Sequence, residues 1–201
     1  MKKALAFLVF FLIAAQMPAQ DIVLLNRIKA ANGKIQSFEA DLKNTMVKPK
    51  TTRTQEGKLY FVKPNEYAAL FTNGKYMIVN EKKIKMDIGM FHGTFKLKDG
   101  GMMQSLSRIF LYGFQGRTQD LADENGYNLT THTEDGCHII TATIIKRKLF
   151  GIGYKTVVFK YHVDSLLLKE IVLYDYSDNQ DTYVISNVIC DVPIDKGKFQ
   201  F

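Results

Sequence analysis

Four histidines, His92, His132, His138 and His162, are the side chains best suited to metal or proton chemistry. A zinc site draws Cys or His ligands from closely spaced pairs. None of these histidines pairs with Cys, Asp or Glu at such a spacing. His132 and His138 flank the turn "EDG" and are expected to face each other, which leaves them two ligands short. Cys137 and Cys190 are the only thiols. A disulfide is allowed after export, yet two cysteines make no framework, and both lie in strand-like runs where a small buried thiol is ordinary. There is no G-x-S-x-G nucleophile elbow. "GFQG" and "FGIG" lack the strand–loop–helix setting of a phosphate cradle. With no catalytic constellation, an enzyme is the least favoured class, and neither metal nor cofactor is expected. A sheet-rich domain of this kind more often binds something.

One lysine stands out instead. In "EGKLYFVKPNEYAALFTNGKYMIV", residues 56–79, the odd positions carry Leu59, Phe61, Lys63, Tyr67, Ala69 and Phe71. The even positions carry Tyr60, Val62, Ala68 and Leu70. A sheet with one wet face alternates apolar and polar; here both faces are apolar and both need cover. Lys63 sits among the aromatics of the odd face, and a charge is seldom left in a dry interior without a partner. Carbonyls at the end of the central helix are the expected partner, since a helix C-terminus favours a cation.

The elements that would position these residues read as follows. Asp21 can cap a helix carrying Ile22, Leu25, Ile28 and Ala31 on one face and stopping at Asn32 and Gly33. "SFEADLKNTMV" alternates as a half-buried strand. "RTQEG" reads as a turn before a strand over 58–63. Pro64 cannot donate to a ladder and marks a break. A strand over 67–72 follows, then "TNGK" as a type I′ hairpin turn, then strands over 76–80 and 83–88. Within residues 99–114 the period changes to helical, with Met102, Leu106, Ile109 and Phe110 on one face and Met103 beside them. Either this helix simply closes a core, or its flexible methionines cover a cavity. "QDLADEN" adds a helical turn. Five further strands run from "YNLTTHT" to "DTYVISNVICDV". About ten strands and two or more helices, without α/β alternation, make a mainly β (α+β) fold.

Lys2 and Lys3, the apolar run Ala4–Ala15 and the small Ala19 have the pattern of a cleaved signal peptide over 1–19. An uncleaved anchor is the alternative, although the run falls short of the about 20 apolar residues a membrane helix needs. Residues 20–201 then form one domain. Without Lys2 and Lys3, 25 basic residues face 20 acidic ones, a net charge of +5. The basic residues are scattered, and an exported protein rarely meets nucleic acid, so no nucleic-acid partner is expected. Docking to an anionic membrane surface is a lesser possibility.

"EGKLYFVKPNEYAALFTNGKYMIVNEKKIKM" resembles the motif of the LolA-type outer-membrane lipoprotein carriers, with its glycine-led strand, Arg-Pro, aromatic strand and D/N-G turn. "LKEIVLYDYSDNQDTYVISNV" resembles that family's penultimate hairpin, and "GKFQF" its closing F-x-F. The resemblance runs through the whole mature chain. It implies an unclosed antiparallel β-barrel, a curved sheet covered by a helical lid over a hydrophobic cavity. It also implies a monomer in the periplasm that takes lipidated proteins from an inner-membrane ABC transporter to an outer-membrane acceptor by holding their acyl chains. On strand and helix parity the cavity would be lined by Leu25, Ile28, Leu59, Phe61, Tyr67, Ala69, Phe71, Met102, Met103, Leu106 and Phe110. Lys63 takes the place of the family's latch arginine, without the planar fork. Ala69 takes the place of its tryptophan, which would widen the cavity locally. A carrier or sensor of another lipid or acyl product on the same fold is the alternative.

Overall fold

The structure, a computed structural model, describes residues 19–88, 91–98, 101–145 and 153–201. The leader expected over 1–19 thus lies almost entirely outside the described residues, as does the basic run at 146–148. Helix α1 is Ala19–Gly33. Six strands follow: β1 (Ser37–Lys48), β2 (Thr51–Val62), β3 (Glu66–Phe71), β4 (Tyr76–Asn80), β5 (Lys83–Ile88) and β6 (Phe91–Lys96). Helices α2 (Met102–Phe114) and α3 (Thr118–Asn125) come next. The chain then adds β7 (Tyr127–Glu134), β8 (Cys137–Ile144), β9 (Tyr154–His162), β10 (Leu168–Asp175) and β11 (Gln180–Cys190), and ends in a 3-10 turn, Lys196–Phe199.

All eleven strands form one antiparallel sheet in the order β6-β5-β4-β3-β2-β1-β11-β10-β9-β8-β7. The two halves are meanders joined by the long-range pair β1–β11, whose register sets Asn44 opposite Tyr183. β6 and β7 are the two ends of this order, so the sheet is not closed. It must nevertheless be strongly curved. Tyr67 on β3 stacks on Phe110 of α2, and Phe159 on β9 would lie 3.0 Å from a Cβ added at Gly113 of the same helix. β3 and β9 are five strand spacings apart, about 24 Å in a flat sheet, whereas a helix is about 10–12 Å across. Only a sheet wrapped around α2 brings both to it.

Four sequence expectations are corrected. "RTQEG" is not a turn: Arg53–Gly57 belong to β2, paired with β1 through polar couples such as Asn44 with Gln55 and Thr45 with Thr54, and the chain reverses at 49–50. Gly57 serves strand approach, since an added Cβ would meet Leu70 O at 2.1 Å. In "TNGK" only Gly74 has positive φ, and Gly74 N–H donates to Phe71 O, so the turn is not type I′. The type I′ geometry occurs instead at Asp135-Gly136, where both residues have positive φ. His132 stands opposite Ile139, and His138 opposite Thr133, so the two histidines point to opposite faces. Asp21 lies in the first turn of α1 rather than capping it, and its carboxylate accepts from Thr131 Oγ1.

The apolar even face of β2–β4 is covered by the C-terminal segment, a role the sequence reading leaves unfilled. Ala68, Ile78 and Phe199 form a separate buried cluster, flanked by Tyr60, Val62, Leu70, Tyr76 and Ile194. Asn80 Nδ2 donates to Phe199 O at 3.0 Å and fixes the segment on β4. The closing Phe-x-Phe thus puts one ring, Phe199, against the convex face, while Phe201 stays exposed.

Candidate acyl-binding interior

The concave face is aromatic because the alternating positions of the central strands are. Phe38 of β1, Phe61 of β2 and Tyr67 of β3 share one face with Leu42, Leu59, Ala69 and Phe71. Phe114 of α2 meets Phe38, Phe61 and Tyr67 at centroid distances of 5.4, 5.6 and 5.6 Å. Phe110, one turn earlier, stacks edge-on against Tyr183 of β11 at 4.8 Å. Such tilted and edge-on pairs add about 0.5–1.5 kcal/mol each beyond the area they bury. Phe114 was not singled out from the sequence, although Leu106, Phe110 and Phe114 recur every fourth residue.

Of the eleven residues expected to line a cavity, ten are buried in this single core: Leu25, Ile28, Leu59, Phe61, Tyr67, Ala69, Phe71, Met103, Leu106 and Phe110. Met102 is half-buried at the edge of the core. Ile22, on the expected apolar stripe of α1, is exposed. The space left between these residues is small. A void of about 10 Å³ is bounded by Leu42, Leu59, Tyr67, Ala69, Met77, Phe110, Phe114, Tyr183 and Ile185. That is at or below what one water needs. Ala69 does border this void, but the room an indole would take is filled by its neighbours. This void therefore cannot hold an acyl chain as it stands, and a chain can use it only by displacing the rings around it.

α2 is held mainly by burial, with few hydrogen bonds to the sheet. Its C-terminal half is buried on all sides, from Ile109 to Phe114. Tyr161 Oη donates to Gly113 O at 2.8 Å from the β9 side. Gln115, just beyond the helix, donates from Nε2 to Pro64 O at 2.8 Å. Its N-terminal end has no side-chain cap. Lys63 does find a helix-end carbonyl, but on α1 and not on the central helix: its Nζ donates to Gly33 O. The chain order explains this. β2 runs back antiparallel to β1, and Lys63 N–H donates to Gln36 O, which brings Lys63 beside the end of α1. Asn32 Nδ2 adds bonds to Ile28 O at 2.9 Å and to Leu166 O at 2.8 Å. Gly116, with φ +66°, passes so close to Ile28 O that a Cβ would meet it at 2.7 Å. The ends of α1 and α2 are thus gathered at one rim of the sheet, around the Lys63-Pro64 elbow.

Lys63→Met is expected to cost about 1 kcal/mol and to speed hydrogen exchange in the last turn of α1. Exchange unchanged from wild type would show that only the lysine stem packs there.

The other rim is polar. Asn44 Nδ2 donates to Asp181 Oδ1 at 2.5 Å and to Thr182 O at 3.2 Å. Gln55 Nε2 donates to Asn44 Oδ1 at 3.0 Å, and Asn73 Nδ2 to Gln55 Oε1 at 3.1 Å. Tyr183 Oη donates to Asp181 Oδ2 at 3.0 Å. Burial pushes the Asp181 carboxyl above the usual carboxylate range, while the bonds from Asn44 and Tyr183 oppose that rise. Burial likewise pushes the Tyr127 phenol up to about 12. Sequence reading missed this network. Cys137 and Cys190 are both free thiols.

No protein-family model matches the chain, and no curated protein matches it. Among solved structures, the fold is similar to a DUF1329 family protein from Desulfovibrio piger, with 15% identity, 92% of this chain and 98% of that chain covered, and a TM-score of 0.49. It is also similar to a LolA superfamily protein from Nitrosomonas europaea, with 10% identity, 92% and 99% coverage and a TM-score of 0.44. The MucA/MucB complex of Pseudomonas aeruginosa contains a similar chain, with 10% identity and a TM-score of 0.49; the match covers 91% of this chain and 61% of that one. At these identities and TM-scores the likenesses carry no argument about activity or partners.

Proposed function

We propose that the chain is an exported carrier of acyl chains, those of lipoproteins in the first place, which it holds between the curved sheet and α2 without a catalytic step. The observation that carries this reading is an interior walled by aromatic rings and built around one helix that few hydrogen bonds tie to the sheet side. Opening that interior means exposing Phe110 and Phe114, at about 2 kcal/mol each, and breaking the Gln115–Pro64 and Tyr161–Gly113 bonds, at about 1 kcal/mol each. Each methylene that takes their place returns about 0.8 kcal/mol. A short chain cannot offset the opening and a long one can. Acyl chains under about eight carbons should therefore not bind measurably, whereas palmitoyl chains should.

The sequence resemblance supports lipoproteins as cargo, received from an inner-membrane ABC transporter and released to an outer-membrane acceptor in the periplasm. Mass spectrometry of lipid that copurifies with the chain tests the cargo. Triacylated peptide is expected. Free glycolipid would support the carrier or sensor of another lipid instead, and a lipid-free chain that takes up no palmitoyl probe would end the acyl reading.

A further inference from the structure

Asp181 is a carboxylate on the concave face, next in the inward row to a residue that borders the void. It stands opposite Leu173, a fully buried core residue, and two residues along β11 from Tyr183, which borders the void. Opposed residues of an antiparallel pair share a face, as do alternate residues of a strand. Tyr183 links the two regions: its ring packs on Phe110 and its hydroxyl reaches Asp181.

Among the described residues the carboxylate forms no direct ion pair. Lys48, at the end of β1, is the cation whose field reaches it. A carboxylate presents about four lone-pair directions, and the two hydrogen bonds from Asn44 and Tyr183 leave others open. Asn44 is itself buried, and its amide oxygen is held by Gln55, so the network is built from behind rather than left to solvent. Asp181 itself is half-buried, so its open side faces the rim, where a further donor can reach it.

We propose that Asp181, backed by Asn44 and Tyr183, is the head-group end of the acyl site and selects acyl ligands whose head carries N–H or O–H donors over free fatty-acid carboxylates. This inference rests on the acyl-carrier reading and deepens it. An amide or hydroxyl head would donate into the open side of the carboxylate while the chain runs toward Phe110. A fatty-acid head would place a second negative charge against a carboxylate that forms no ion pair among the described residues, a juxtaposition that disfavours binding.

Competition against a bound fluorescent palmitoyl probe at mildly alkaline pH tests the idea. N-palmitoyl ethanolamine should displace the probe at about tenfold lower concentration than palmitate does. Asp181→Asn should narrow that gap to within about threefold, chiefly by improving palmitate. Equal competition by the two ligands in the wild type, or a gap unchanged in a folded Asp181→Asn, would overturn the inference and leave the acyl reading standing. Should Asp181→Asn not fold, the wild-type ratio decides alone. Failure of both ligands and the probe to bind would overturn the acyl reading itself, and this inference with it.

Discussion

Phe110→Ala is expected to lower the unfolding free energy by about 3–5 kcal/mol and at the same time to tighten binding of a palmitoyl probe by about tenfold. The two effects have one cause. Phe110 is buried and touches Tyr67, Phe114 and Tyr183, so its loss leaves a cavity that the surrounding strands cannot close. The same ring occupies the place an acyl chain needs. Wild type must displace it before binding, which lowers the apparent affinity by the fraction of chains that are open. The variant is already vacant there. Urea unfolding and probe titration on the same preparation check both halves. Loss of stability with weaker probe binding would show that acyl chains do not use the space Phe110 fills.

Gly57→Ala is expected to destabilise the fold by on the order of 4 kcal/mol, an unusually large effect for one methyl group. The added Cβ would meet Leu70 O at 2.1 Å and Phe71 Cα at 2.7 Å, both backbone atoms that cannot swing away. β2 and β3 would have to part where Gly57 stands opposite Phe71, next to the Thr72 N–H bond to Glu56 O. Gly33→Ala, whose Cβ meets nothing, is the control and should change stability little. A Gly57→Ala midpoint matching that control would show that the two strands are not held this tightly.

The inward set of β2 and β3 was legible because it is local: parity alone sorts Leu59, Phe61, Tyr67, Ala69 and Phe71 from Tyr60, Val62, Ala68 and Leu70. The helical stripe of α2 was legible for the same reason. What parity does not carry is which strand lies beside which. The β1–β11 pair joins residues more than 130 positions apart, and it alone sets Asn44 against Asp181 and Tyr183. Polar side chains on a core face also weaken the alternation that would reveal them. "DTYVIS" puts Asp181, Tyr183 and Ile185 on one side and Thr182, Val184 and Ser186 on the other, and nothing in composition says which is inside. β6, "FHGTFK", went unread because Gly93 interrupts a short run. The cover on the convex face comes from residues at the far end of the chain, and Lys63 reached a different helix from the one expected. Both outcomes depend on tertiary path rather than on local pattern.

The central claim is that acyl chains enter between the sheet and α2. Photo-crosslinking with a palmitoyl amide bearing a diazirine near the end of its chain, followed by peptide mapping, tests it most directly. The expected adducts lie on Phe110, Phe114 and Ala69, all of which border the void. They should disappear under competition with excess unlabelled N-palmitoyl ethanolamine. Adducts confined to the exposed apolar residues Ile22, Val23 and Ile189 would contradict the account, because those side chains lie outside the interior.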